Sequence, residues 1–257
     1  MGFECDEYTK VGLMKLKILG ARSSMVAVLF LLLASIFQVN GISAEQDGNK
    51  IVSDAHALVK AVKPEDTSYI HKNVAVSWGN DGKAVCHADC SALLNALLLH
   101  SGYFSEEDLK KHLGAARPLA KHYHDAIIHH RGFKEITSIE EVRPGDIIAI
   151  KYPPGSGNTG HVMLVVAQPT KRAATEPVVK NSIQYEIEII DCSSSGHGPN
   201  DSRRIESGKY REGLGKGMYR VFTNEKGIPI GHSWSVYATS KYYEMNVRNL
   251  VIGRVDR

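Results

Sequence analysis

The stretch "WGNDGKAVCHADCSALLNALLLHSG", Trp78 to Gly102, decides how this chain is read. A polar, glycine-punctuated turn gives way at Asp89 and Cys90 to an apolar run. Leu93, Leu94, Leu97, Leu98 and Leu99 follow, with Asn95 among them. A helix apolar on nearly every face belongs in a core, covered on all sides. Asp89 is the candidate N-cap and Gly102 the natural stop. Cys90 then falls on the first turn. There the unsatisfied backbone N–H groups and the helix dipole favour a thiolate, and the same N–H groups suit an oxyanion.

Before this stretch, "SDAHALVKAVKPED" (Ser53 to Asp66) reads as a short helix with Ser53 as cap and Pro64 as stop, and "NVAVSW" (Asn73 to Trp78) as a strand or extended arm. After it, "SEEDLKKHLG" carries a capping-box pair, Ser105 and Asp108, and ends at Gly114. "RPLAKHYHDAIIHHRG" reads as a surface helix; its histidines, His122, His124, His129 and His130, do not share a metal-binding face with a carboxylate. From Pro144 the pattern changes to strands. "PGDIIAIKY" is a turn into a strand, "HVMLVVA" (His161 to Ala167) a strand buried on both faces, and "QYEIEIID" (Gln184 to Asp191) alternates with period two. "GMYRVFT", "GHSWSVYA" and "NLVIGRV" are further strands. Helices first and strands second predict an α+β domain whose buried N-terminal helix packs on an antiparallel sheet.

The net charge of +3 is too small to specify a partner, and no basic stripe is interleaved with aromatics, so nucleic-acid binding is not expected. Lys15, Lys17 and Arg22 precede "MVAVLFLLLASIF" (Met25 to Phe37), which leads into the small-residue stretch "NGISA". That is the pattern of a signal peptide over residues 1–44, here with a polar N-terminal extension, and it predicts a secreted or periplasmic single domain over 45–257 without a membrane span after cleavage. The mature part holds Cys86, Cys90 and Cys192. An odd number in an oxidising compartment suggests one bridge and one free thiol. Cys86–Cys192 would leave Cys90 free, whereas Cys86–Cys90 would block it. Cys86, His87, Cys90 and Cys192 match no standard zinc spacing, so neither metal nor cofactor is expected.

Three residues gain meaning together. Cys90 is the nucleophile candidate. His161, straight after Gly160 at a strand mouth, is held by rigid backbone and expected to be reachable from solvent. Asp191 shares strand parity with Tyr185, Ile187 and Ile189, which puts its carboxylate on a core face where it needs a partner. Nucleophile, base and orienting carboxylate make a triad. The loop "SSSGHGPNDSR" (Ser193 to Arg203) follows Asp191 directly; it is a candidate substrate contact, and its His197 is the reserve for the third position.

"ADCSALLNALL" resembles the nucleophile motif of the NlpC-like, papain-like cysteine peptidases that hydrolyse cell walls. "RPGDIIAIKY" and "GHVMLVVA" are similar to that family's next two strands, and "YEIEIIDCS" falls where its third catalytic residue stands. The resemblance runs from about Trp78 to Ser195. It implies a papain-like fold and an exported peptidase or amidase acting on peptides, peptidoglycan peptides among them, through Cys90, His161 and Asp191. It also implies an oxyanion role for Trp78, where the family often has tyrosine, and a substrate-side place for Ser91. Ala92 departs from the family's glycine, and Asp191 from its common histidine. The alternative is an inactive module of the same fold that binds wall or peptide.

Overall fold

A computed structural model describes residues 50–80 and 82–256, which all lie in one compact unit. The expected signal peptide, with its cleavage site, lies outside the described residues. Helix α1 covers residues 50–61. Ser53 is inside this helix rather than its cap, because its hydroxyl donates back to the Lys50 carbonyl. Three short strands follow: β1 Thr67–Tyr69, β2 Ala75–Ser77 and β3 Val85–Ala88. They form a small sheet in which β1 runs parallel to β3 and β2 antiparallel to it.

The apolar run is helix α2, Cys90–His100, and Asp89 caps it by accepting from the Ala92 N–H at 2.8 Å. Leu93, Leu94, Leu97 and Leu98 are buried in the main core. The polar break at Asn95 is satisfied: its amide donates to the Pro118 carbonyl and its oxygen accepts from the Tyr123 hydroxyl. Helix α3 is Glu106–Leu113, with the expected capping box, and α4 is Ala120–Ile128. α4 is less superficial than its histidines suggest. Tyr123, His124, Ala126 and Ile127 are buried, and His124 Nε2 meets Asn249 Oδ1 at 2.8 Å.

The remaining strands are β4 Phe133–Glu135, β5 Ile147–Lys151, β6 Gly160–Val165, β7 Thr170–Lys171, β8 Ile183–Ser193, β9 Arg204–Glu206, β10 Lys209–Tyr210, β11 Gly213–Thr223, β12 Pro229–Ser233, β13 Tyr242–Glu244 and β14 Asn249–Val255. β9 and β10 make a separate hairpin; the others form one sheet in the order β13-β12-β11-β8-β6-β5-β14-β4, with β7 beside β8. Every pair in this sheet is antiparallel. The molecule is thus an α+β protein. No helix among the described residues is long and apolar enough to cross a membrane.

The period-two pattern divides the sheet's side chains between two cores. Ala149, Val162, Leu164, Ile190 and Cys192 pack with α2 on one face. Ile148, Ile150, Met163, Val165, Ile187 and Ile189 pack on the other with Tyr219. β6 and β8 pair only at Leu164↔Ile190 and Val165↔Ile189. Beyond those two pairs the ladder stops, and Cys90 lines the small void there with Met163 and Asp191.

Candidate active site

The stopped ladder brings three residues together from two strands and a helix. Cys90 stands on the first turn of α2. His161 follows Gly160, a position only glycine fills: φ is +142° and a Cβ there would lie 1.9 Å from the Ile150 carbonyl oxygen. His161 Nε2 donates to Asp191 Oδ2 at 2.7 Å. The Cys90 sulfur lies close enough to act electrostatically on the same ring, and with Nε2 taken by Asp191 it is Nδ1 that remains for it. Burial opposes charge on this imidazole. The Cys90 sulfur and the Asp191 carboxylate outweigh it and push the pKa up to about 10.

Asp191 is buried and fully engaged. Its Oδ2 also accepts from His197 Nε2 at 2.9 Å, and its Oδ1 from Arg203 Nη1 at 2.9 Å. Arg203 grips Asp201 with a fork, Nε to Oδ1 at 2.9 Å and Nη2 to Oδ2 at 2.8 Å. Burial would raise the Asp191 pKa, but Arg203, His197 and His161 together hold it well below the usual carboxylate range. His197 Nδ1 faces the Trp234 carbonyl at 2.7 Å, which fixes its ring. His197 therefore braces Asp191, and among the described residues neither of its ring nitrogens is bonded to the nucleophile. The 193–203 loop, expected as a substrate contact, turns its His197, Asp201 and Arg203 inward instead.

Two expected positions take other work. Trp78 stacks on His100 at 3.8 Å, at the far end of α2, and its indole N–H donates to the Asp54 carbonyl. A helix of that length puts it about 15 Å along the axis from Cys90. Ser91 donates its hydroxyl to Asp89 Oδ1 at 2.8 Å and so steadies the cap. His161 is also less accessible than expected, at 4% exposure, with Cys90 at 5%. Trp234 covers it, edge to face at 4.7 Å, and lies against His197 at 4.6 Å.

Tyr69 lies nearer to Cys90 along the backbone pairing. It pairs with Ala88, two residues before Cys90. Burial, then the charges of Cys90 and Asp89, push its hydroxyl pKa up, so it stays a donor. Asp89 accepts on both oxygens, from Ala92 N–H and Ser91, and from Arg117 Nη2 at 2.8 Å and His71 Nδ1 at 3.2 Å. The cap takes the Ala92 N–H; those of Cys90 and Ser91 have no acceptor among the described residues. Cys86, Cys90 and Cys192 are free thiols. Cys192 points away from Asp191, onto the Ala88 carbonyl at 3.0 Å, and meets Cys86.

The brace around Asp191 was missed in the sequence, although a signal for it exists. "GLGKG" (Gly213 to Gly217) places glycine at alternate positions of β11, so one face of that strand is bare. A Cβ at Gly215 would meet Arg203 Nε at 2.4 Å, and one at Gly217 would meet Asp201 Oδ2 at 2.4 Å. Period-two glycine in a strand marks the close approach of another segment. The ligand atoms of His161, Asp191 and His197 lie within 4.8 Å of one another, as a metal would require. The Arg203 cation on the same carboxylate opposes a second cation there.

Over 202 aligned residues the chain is 37% identical to the uncharacterized protein R653 of Acanthamoeba polyphaga mimivirus, covering 74% of this chain and 88% of the viral protein. No family model matches the chain. No solved structure matches it. An identity of this size across most of both chains makes the protein a member of the family of that viral protein.

Proposed function

We propose that the chain is an exported cysteine hydrolase, a peptidase or amidase similar to the NlpC-like, papain-like enzymes. One observation carries this: a sulfur on the capped first turn of a buried helix meets a histidine whose other nitrogen is held at 2.7 Å by a buried carboxylate. In this mechanism Cys90 Sγ attacks the carbonyl carbon of an amide. The oxyanion is received by the N–H groups of Cys90 and Ser91 and by the Tyr69 hydroxyl. His161 gives its proton to the leaving amine, the C–N bond breaks and a thioester remains. Water then attacks the thioester, passes a proton to His161 and releases the acid and the thiol. Asp191 holds the ring throughout, which makes it a positioning residue.

Peptides, those of peptidoglycan included, are the substrate class that the resemblance implies. The test is release of new amino groups from peptidoglycan-derived peptides. Cys90→Ser and His161→Ala should each abolish it, while Tyr69→Phe should lower the rate on the order of tenfold to a hundredfold. Unchanged turnover in Cys90→Ser refutes the proposal. The near-complete burial of Cys90 and His161 favours the alternative, a module that keeps the arrangement and binds a peptide. Iodoacetamide labelling separates the two, since a catalytic Cys90 is alkylated in a His161-dependent way and an occluded one is inert.

A further inference from the structure

We propose that Arg248 is the anion anchor of this site, so that the peptide substrate carries a carboxylate within two or three residues of the bond attacked. This rests on Cys90 and His161 being the reacting pair. Asp191 lies near the end of β8, His161 near the start of β6, Tyr152 follows β5 and Arg248 precedes β14, so the four stand at one end of four successive antiparallel strands. Ile150 pairs with His161, and Tyr152 lies two residues on, on the same face. Asn249 pairs with Lys151, which sets Arg248 opposite Tyr152. Two strand spacings across and two residues along separate Arg248 from His161, about 12 Å of backbone, or a little over three residues of an extended peptide.

The Arg248 guanidinium is sandwiched. It lies 4.3 Å from the centre of the Tyr152 ring and 3.9 Å from that of Tyr243. Stacking occupies its two faces and leaves its edge, with the N–H fork, free. That edge has no hydrogen-bond or ion-pair partner among the described residues. A second cation, Lys241, sits over the same Tyr243 ring at 5.3 Å, likewise without a carboxylate. Around the segment, His232 Nε2 is spent on the Arg248 carbonyl, and the Glu244 carbonyl accepts the Arg248 N–H. Tyr152 bridges the two halves of the site, for its hydroxyl feels both Arg248 and Cys90. A fixed fork with its own carboxylate missing, beside a thiol that attacks amides, is suited to a carboxylate on the peptide.

The test uses two thiol-alkylating probes, N-bromoacetyl-glutamic acid and its neutral diamide, N-bromoacetyl-glutamine amide. In each, the Cys90 sulfur displaces bromide to form a thioether, and the thiol proton passes to His161. Alkylation of Cys90, followed by peptide mass spectrometry, should be on the order of tenfold faster with the acid. Arg248→Gln should remove that preference and leave the rate with the diamide unchanged, which also reports that the variant is folded. Arg248→Lys should keep part of the preference. Equal rates in the wild type, or a preference that survives Arg248→Gln, overturn the anchor and leave the thiol mechanism standing. A Cys90 that neither probe alkylates overturns both.

Discussion

Arg203→Met is the perturbation that probes the site's construction most sharply. Arg203 is 1% exposed and makes four bonds: two to Asp201, one to Asp191 at 2.9 Å and one to the Gly213 carbonyl at 3.2 Å. Methionine fills a similar volume but leaves two buried carboxylates without their cation. Removing one partner of such a network costs about 3–5 kcal/mol. With a urea dependence of about 2 kcal/mol per molar, the unfolding midpoint falls by about 2 M. The loss has a pH signature. In the wild type the depressed Asp191 pKa contributes stability that is present above about pH 3.9 and fades as pH falls through the folded value. In the variant the strongest cause of that depression is gone and burial raises the folded pKa. The variant therefore loses stability as pH rises from 4 to 7, and the gap from the wild type widens over that range. Urea melts followed by circular dichroism at pH 4, 5.5 and 7 give the comparison. A midpoint within 0.5 M of the wild type at every pH would show that the brace is not a charged network.

Other substitutions test separate supports. Asp89→Ala removes an acceptor for Ala92 N–H, Ser91, Arg117 and His71; it should cost about 1–2 kcal/mol in urea melts and slow Cys90 alkylation. His161→Gln should flatten the alkaline part of the stability profile. The raised His161 pKa, about 10, gives stability that is whole below about pH 6.5 and is lost as pH climbs through 10. Gly160→Ala puts a methyl into the Ile150 carbonyl at positive φ, and should cost about 3 kcal/mol or displace His161, read as lost alkylation of Cys90.

Local signals carried well from sequence to structure. The Asp89 cap, the buried α2, the Ser105–Asp108 box and the alternation of β8 are each set within a few residues, by capping chemistry and by periods of 3.6 and two. The side of the sheet on which Asp191 sits followed from parity alone. Partners set by the course of the chain did not carry. The oxyanion role for Trp78 came from the position of the family's tyrosine, but that equivalence assumes a shared path, and the β2–β3 turn returns the chain to the other end of α2. Tyr69, nine residues earlier, comes beside Ala88 at the start of α2 because β1 lies parallel to β3, a pairing that no local pattern announces.

The same distinction explains His197, Asp201 and Arg203. Taken singly, a histidine, an aspartate and an arginine in a glycine-containing loop read as solvated. Their burial is decided one strand away, by a β11 whose alternate residues are glycine, so that loop and strand backbone come into contact. Gly217→Val therefore separates cause from consequence. Its side chain would start in the space that Asp201 and His197 now occupy. Expulsion of the loop exposes Asp191 to water and relaxes its grip on the His161 ring, so alkylation of Cys90 should slow while the apolar core of α2 stays folded. If alkylation is as fast as in the wild type, the loop does not position the histidine, and Asp191 suffices alone.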